Sequence, residues 1–176
     1  MNTSSKTNLS TLFNKRIYIV PNYQRGYSWT PSNVRDLLRD IDNAINLEVE
    51  HYMGTVALHK QKKVQPIDDF TDWDKYHIVD GQQRFTTLVM IISELINRID
   101  TEDVDRFKEQ YLKIKGEYIF RYEVDDVNNQ FFRSRILELE NNTSDDTNLY
   151  SRNFLDAKEV ITSHFDDQSK EYYANF

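Results

Sequence analysis

The chain has 176 residues, 39% of them hydrophobic and 13% aromatic, and a formal net charge of -7; this is enough for one well-buried core and argues against a protein that coats nucleic acid by bulk attraction. There is no cysteine, and the four histidines, His51, His59, His77 and His164, are scattered, which excludes a disulfide framework, a thiolate site and a histidine-spaced metal centre. The N-terminus lacks the apolar core of a secretion signal and no apolar run approaches the ~18 residues of a membrane span, so a cytoplasmic protein with no membrane partner is expected.

Charge is uneven along the chain. Residues 1–65 carry nine Lys/Arg against five Asp/Glu, a balance of +4, and residues 66–176 carry thirteen against twenty-four, a balance of -11. The N-terminal part is therefore the polyanion-facing candidate, although an ordinary solvated surface gives the same pattern.

Residues 1–11 are polar and predict a flexible arm or a loosely docked first turn. Arg16-Ile17-Tyr18-Ile19-Val20 is β-branched and aromatic, and Pro21, which cannot donate to a sheet ladder, ends the predicted strand. The loop Pro21-Asn22-Tyr23-Gln24-Arg25-Gly26-Tyr27-Ser28-Trp29 then gathers aromatics, a glutamine and an arginine. As a recognition loop, Arg25 offers a forked donor to phosphate, Gln24 a donor and an acceptor, and Tyr23, Tyr27 or Trp29 a stacking face. As a structural plug, its aromatics enter the core and Arg25 pairs with a carboxylate. Thr30 as N-cap and Pro31 at the first helical position predict a helix with Val34, Leu37, Leu38, Ile41, Ala44 and Ile45 facing the core.

Residues 52–59 predict a strand that continues into the basic tip Lys60-Gln61-Lys62-Lys63 and pairs, across a polar loop at 66–75, with Tyr76-His77-Ile78-Val79. Lys62 and Lys63 are candidate contacts to DNA phosphates, or serve solubility alone. The second strand meets Asp80-Gly81-Gln82-Gln83-Arg84 and then an apolar run from Leu88 to Ile99, which predicts a buried helix. Asp80 as N-cap and Gln83 three residues on can form a capping box that needs no ligand. The same helix start also offers unpaired N–H groups, a partial positive charge, a glycine that lets phosphate approach the backbone, and donors on Gln82 and Arg84. Thr86 and Thr87 can donate hydroxyls or hold a magnesium-bound water, or bond their own preceding turn. No GxxxxGK occurs, so this is not a Walker A loop.

Residues 104–115 predict a helix ending at Gly116, residues 118–124 a strand, and residues 128–139 a helix that turns Phe131, Phe132, Ile136 and Leu137 inward and leaves Arg133 and Arg135 over. A last helix runs from about residue 150 through Phe154, Leu155, Val160 and Ile161. The sequon Asn141-Asn142-Thr143 carries no meaning in a cytoplasmic protein. Aromatics near the end, Tyr172, Tyr173 and Phe176, predict either a chain cut short before a further domain or a contact surface for such a domain. The predicted fold class is α+β, a small mixed β-sheet with packed helices, organised as an arm at 1–11, a core at 12–100 and a mainly helical extension at 101–176.

Three segments, Tyr23-Gln24-Arg25-Gly26-Tyr27-Ser28-Trp29, Met53-Gly54-Thr55-Val56 and Ile78-Val79-Asp80-Gly81-Gln82-Gln83-Arg84-Phe85-Thr86-Thr87-Leu88, resemble in order and approximate spacing the GmrS-type domain of unknown function family. Phe131-Phe132 and Ser151-Arg152-Asn153-Phe154-Leu155-Asp156-Ala157-Lys158 are similar to that family's helical continuation. The resemblance implies a ParB/sulfiredoxin-like fold and an NTP-binding, NTP-hydrolysing regulatory domain of modification-dependent restriction systems that defend bacteria against phage, working with an HNH-type nuclease domain or subunit. It implies a nucleotide site at Asp80, Gly81, Gln82, Gln83 and Arg84, with Thr86, Thr87, Gln24 and Arg25 beside it, and Tyr23, Gln24 and Arg25 as sensors of modified phage DNA. The implied cofactor is a nucleoside triphosphate with Mg2+.

Within that site, Arg84 and the Gly81 and Gln82 amides would clamp phosphate, Gln82 or Gln83 would orient the attacking water, and Asp80 would cap the helix or position a magnesium-bound water. Arg84 and Arg25 are expected to converge. Phe85 stands where leucine is commoner, and no HNH motif is present, so cleavage of DNA by this chain alone is not expected. A non-hydrolysing DNA-reading module and a scaffold for a nuclease are the competing readings, and a homodimer is left open.

Overall fold

The computed structural model describes residues 5–61, 65–68, 71–99, 102–124, 127–140 and 149–168. Ile17, Tyr18, Ile19 and Val20 are all buried, the pattern of a strand covered on both faces. Accordingly β1 (Arg16–Val20) lies between two parallel neighbours, β4 (Thr71–Asp80) with Tyr76 opposite Tyr18, and β7 (Phe120–Tyr122) with Phe120 opposite Tyr18. β2 (Ala57–Lys60) joins β4 antiparallel to give the order β2-β4-β1-β7, and β3 (Gln65–Asp68) pairs with the start of β4. The predicted α+β class with a small mixed sheet is what the chain adopts. Because β1, β4 and β7 run parallel, their carboxyl ends at Val20, Asp80 and Tyr122 share one edge of the sheet.

Each of those ends feeds a helix. After β1, α2 (Pro31–Asn46) starts as predicted at Thr30, whose N–H donates to the Asn33 carboxamide oxygen at 3.1 Å, and buries Val34, Leu37, Leu38, Ile41 and Ala44. After β4, α3 (Gln82–Arg98) is buried along most of its length. Its Phe85 ring lies 4.6 Å from Tyr18 and 5.8 Å from Phe120, tying helix to sheet, and α4 (Val104–Tyr111) and α6 (Leu149–Asp166) pack on it. A fully buried phenylalanine stabilises by roughly 1.5–3 kcal/mol, so Phe85 is a major anchor of the corner that precedes it. No described helix is long and apolar enough to cross a membrane.

Several predicted elements differ. The expected first turn is present as α1 (Leu9–Leu12), where the Asn8 side chain accepts from Thr11 N–H at 2.9 Å and Phe13 is buried just beyond. The polar loop expected at 66–75 is instead largely strand: Trp73 is buried, and Asp74, next along the alternation, pairs with Lys60 at 2.7 Å. The density of acidic residues in that stretch hides its strand alternation in the sequence. The helix predicted over 104–115 stops at Tyr111, and β5 (Lys113–Ile114) and β6 (Glu117–Tyr118) form a hairpin in which Lys115 and Gly116 both take positive φ, 46° and 89°. Two such residues in succession are a hairpin turn.

α5 (Val127–Phe131) runs into a π-helical turn at Phe132–Ile136. Phe131, Phe132, Ile136 and Leu137 face inward as predicted, but Arg133 is not left over. It is buried, 3.4 Å from Glu140 and 4.8 Å over the Tyr118 ring, because the wider turn rotates it toward the core. On α6 the buried stripe is Phe154, Ala157, Ile161 and Phe165, which turns Leu155 outward. β7 belongs to the central sheet, so the sheet itself spans the expected boundary at residue 100.

Candidate functional site

β4 stays paired through Asp80, which lies opposite Ala57, so the chain turns one residue later than the sequence suggests. Gly81, at φ 83° and ψ 11°, is the N-cap of α3, and Asp80 is not; its carboxylate accepts from Gly81 N–H at 2.8 Å. This left-handed corner favours glycine, and a Cβ at Gly81 would also come 2.9 Å from the Thr55 carbonyl oxygen. The expected capping box is absent because Gln83 reaches elsewhere. As a result the first-turn amides of Gln82, Gln83 and Arg84 have no protein acceptor among the described residues, at the positive end of a 17-residue helix.

Arg84 follows directly. The residue is half-buried, and its guanidinium has no carboxylate or carbonyl partner among the described residues. It lies against Gly54, at φ 88°, so closely that a Cβ there would sit 2.3 Å from Arg84 Nη1. The loop at 52–56 thus both supports Gly81 and seats Arg84. Tyr52 is exposed and its hydroxyl lies 3.0 Å from Thr55 Oγ1 on the same loop.

The two glutamines face the loop at 21–29. Gln82 Nε2 donates to the Arg25 carbonyl at 2.9 Å. Gln83 Nε2 donates to the Gly26 carbonyl at 3.1 Å, and its Oε1 accepts from Ser28 N–H at 2.8 Å. Gln24 Nε2 returns a bond to the Val79 carbonyl at 2.8 Å. Tyr27 completes the brace: its hydroxyl shares a 2.8 Å bond with Thr87, its carbonyl accepts from Asn153 Nδ2 at 3.0 Å, and its ring stacks on Phe154 at 4.8 Å. Burial pushes the Tyr27 hydroxyl up to about 12, so it holds its proton at every physiological pH.

Of the residues expected at the site, Asp80, Gly81, Gln82, Gln83 and Arg84 gather at the corner, and Gln24 and Arg25 meet it through hydrogen bonds. Thr86 and Thr87 are buried inside α3, and the Thr87 hydroxyl also bonds the Gln83 carbonyl at 3.0 Å. Tyr23 and Arg25 are exposed. Arg25 has no ion-pair partner among the described residues and lines a cavity of about 260 Å³ with Tyr27, Tyr122, Glu123, Tyr150 and Phe154, among others; Arg84 is not part of that lining. The main chains of loop and corner converge, while Arg84 is seated at Gly54 and Arg25 at the cavity. Lys62 and Lys63 lie outside the described residues. Sequence reasoning missed Gly54 as the seat of Arg84 and Asn153 as a brace, although both stand in the segments quoted above for their family resemblance.

This mixed α+β domain collects three separated motifs at the carboxyl edge of its parallel strands, the edge at which open α/β sheets bind their ligands. The chain belongs to the family of GmrSD restriction endonuclease N-terminal domains, whose model matches residues 9–176, and is thus a component of a restriction system whose family points to a nuclease partner or domain. No curated protein matches it.

Proposed function

We propose that this domain binds a nucleoside triphosphate at the α3 corner, hydrolyses it, and couples that event to recognition of modified phage DNA by a nuclease partner or domain of the HNH type, inside the bacterial cell. The observation that carries the reading is Arg84: a half-buried residue of the α3 first turn, whose amides are unpaired among the described residues, with a guanidinium that has no protein partner there and rests on a seat that a Cβ would occupy. A phosphate oxygen satisfies the guanidinium and the amides together, and phosphoryl transfer is catalysed chiefly by such positioning and charge neutralisation.

Asp80 is exposed, and with one oxygen taken by Gly81 N–H the other remains for a metal-bound water. Among the described residues no cluster of three or more acidic or histidine side chains could hold a metal, so Mg2+ would be held mainly by the phosphates it neutralises, a common arrangement for this ion. In this reading Gln82 and Gln83 are positioning residues that hold the loop of Tyr23, Gln24 and Arg25 to the corner. Tyr23 and Arg25, exposed beside it, are the DNA-facing side chains.

The direct test is calorimetric titration with ATP and GTP in Mg2+, and phosphate release with and without DNA from a phage that modifies its bases. Binding at micromolar affinity and release stimulated by that DNA are expected; a domain that binds no nucleotide refutes the enzyme reading and leaves a DNA-reading module or scaffold. A more local test is Gly54→Ala. A non-glycine residue at positive φ costs about 1–3 kcal/mol, and the new methyl also displaces Arg84. Nucleotide affinity should fall at least about tenfold, the worth of one charge-assisted hydrogen bond, even where thermal melting shows the variant folded. Unchanged affinity would remove Gly54 from the site.

A further inference from the structure

The cavity beside Arg25 lies outside the carboxyl ends of β1 and β7, where Val20 and Tyr122 end their strands, and it is distinct from the Arg84 seat. Burial separates its floor from its mouth. Tyr27 and Phe154, stacked with an interplanar angle of 8°, are buried, whereas Tyr150 and Val124 are 40% and 47% exposed. The Tyr150 ring rests on Gly26, where a Cβ would come within 2.5 Å of it, so the rim aromatic is fixed to the recognition loop.

Polar groups of both kinds border this aromatic space. Arg25 supplies donors. Gln24, whose Nε2 is engaged by Val79, keeps its carbonyl oxygen as an acceptor, and Glu123, which takes Asn22 N–H at 2.8 Å through Oε2, keeps a second oxygen. At about 260 Å³ the space falls below the roughly 300 Å³ at which pockets begin to hold drug-sized ligands. It suits one planar ring system. Tyr23, 69% exposed on the same loop, stands outside as a further stacking face.

We propose that this cavity receives a single nucleobase swung out of a DNA duplex. The inference rests on the reading of the domain as one that contacts DNA, and adds that contact is made by extrusion rather than by groove reading. Tyr150, the aromatic exposed at the rim, replaces part of the base's lost stacking, worth about 1–3 kcal/mol per aromatic contact, while the buried Tyr27 and Phe154 close the floor beneath it. Arg25, Gln24 and Glu123 meet the edge that pairing has released.

Extrusion is cheapest where pairing is already broken, which gives the test. End-labelled duplexes, fully paired or with one mismatch, are titrated by fluorescence anisotropy. Wild type should prefer the mismatched duplex by about tenfold. Val124→Trp, which fills the mouth from an exposed position, should abolish that preference while leaving affinity for the paired duplex within about threefold and ATP binding unchanged. Tyr150→Ala, which removes the rim, should reduce the preference without filling anything. Binding of both duplexes with equal affinity, or a preference that survives Val124→Trp, overturns extrusion but leaves DNA contact standing. Failure to bind either duplex overturns both.

Discussion

Arg84→Ala is expected to reduce nucleoside triphosphate affinity by about a hundredfold or more and to bring phosphate release to background, with little change in melting temperature. The two halves of that result have separate causes. Hydrogen bonds to charged groups contribute about 1.5–3 kcal/mol each, and a forked guanidinium can make two to one phosphate, hence the loss of binding. The side chain has no ion pair or hydrogen bond within the described protein, so its removal leaves no protein group unsatisfied. Arg84→Lys should recover part of the affinity, since an ammonium keeps the charge but not the fork. Calorimetry, phosphate-release kinetics and a thermal melt on the same preparations separate the cases. A variant that hydrolyses normally refutes the assignment, and one that melts far below wild type shows that Arg84 holds the fold.

The elements that could be read in advance are those in which one physical signal dominates. The run Ile17-Tyr18-Ile19-Val20 closed by Pro21, the Thr30-Pro31 helix start, and the apolar stretch of α3 all formed as their sequences predict. Where two signals compete, local sequence points the wrong way. Asp74 beside Trp73 looked like loop because strand alternation was hidden among acids, and Gly116 looked like a helix end because a hairpin turn uses the same residue. At the corner, Asp80 has the chemistry of an N-cap, but the backbone remains extended there because the sheet still pairs it. The packing of Arg84 on Gly54 and of Tyr27 against Thr87 and Asn153 depends on contacts across long stretches of chain, which local periodicity does not encode.

Gln83→Ala should lower the melting temperature by about 5–15 °C, the largest effect on stability expected from any polar residue of the corner. Gln83 is only 9% exposed, and among the described residues its amide is the one partner of two backbone groups in the loop, Ser28 N–H and the Gly26 carbonyl. Removing it strands both at about 1–3 kcal/mol each and leaves a void, in a domain whose total stability is of order 5–15 kcal/mol; at about 2–4 °C per kcal/mol the shift follows. Gln83→Glu discriminates further. A carboxylate still accepts from Ser28 N–H but opposes the Gly26 carbonyl, so the folded state favours the protonated acid and raises its pKa. The stabilisation from that proton is then present below the unfolded pKa and is lost as pH rises through the folded one. The variant should approach wild-type stability in acid and fall away from it toward neutral pH, as read by thermal melts across the range. A glutamine that only orients water would give normal melts and a defect confined to turnover. If the melts fall as expected, the paired glutamines and Tyr27 hold the loop at 21–29 and the start of α3 together as one body.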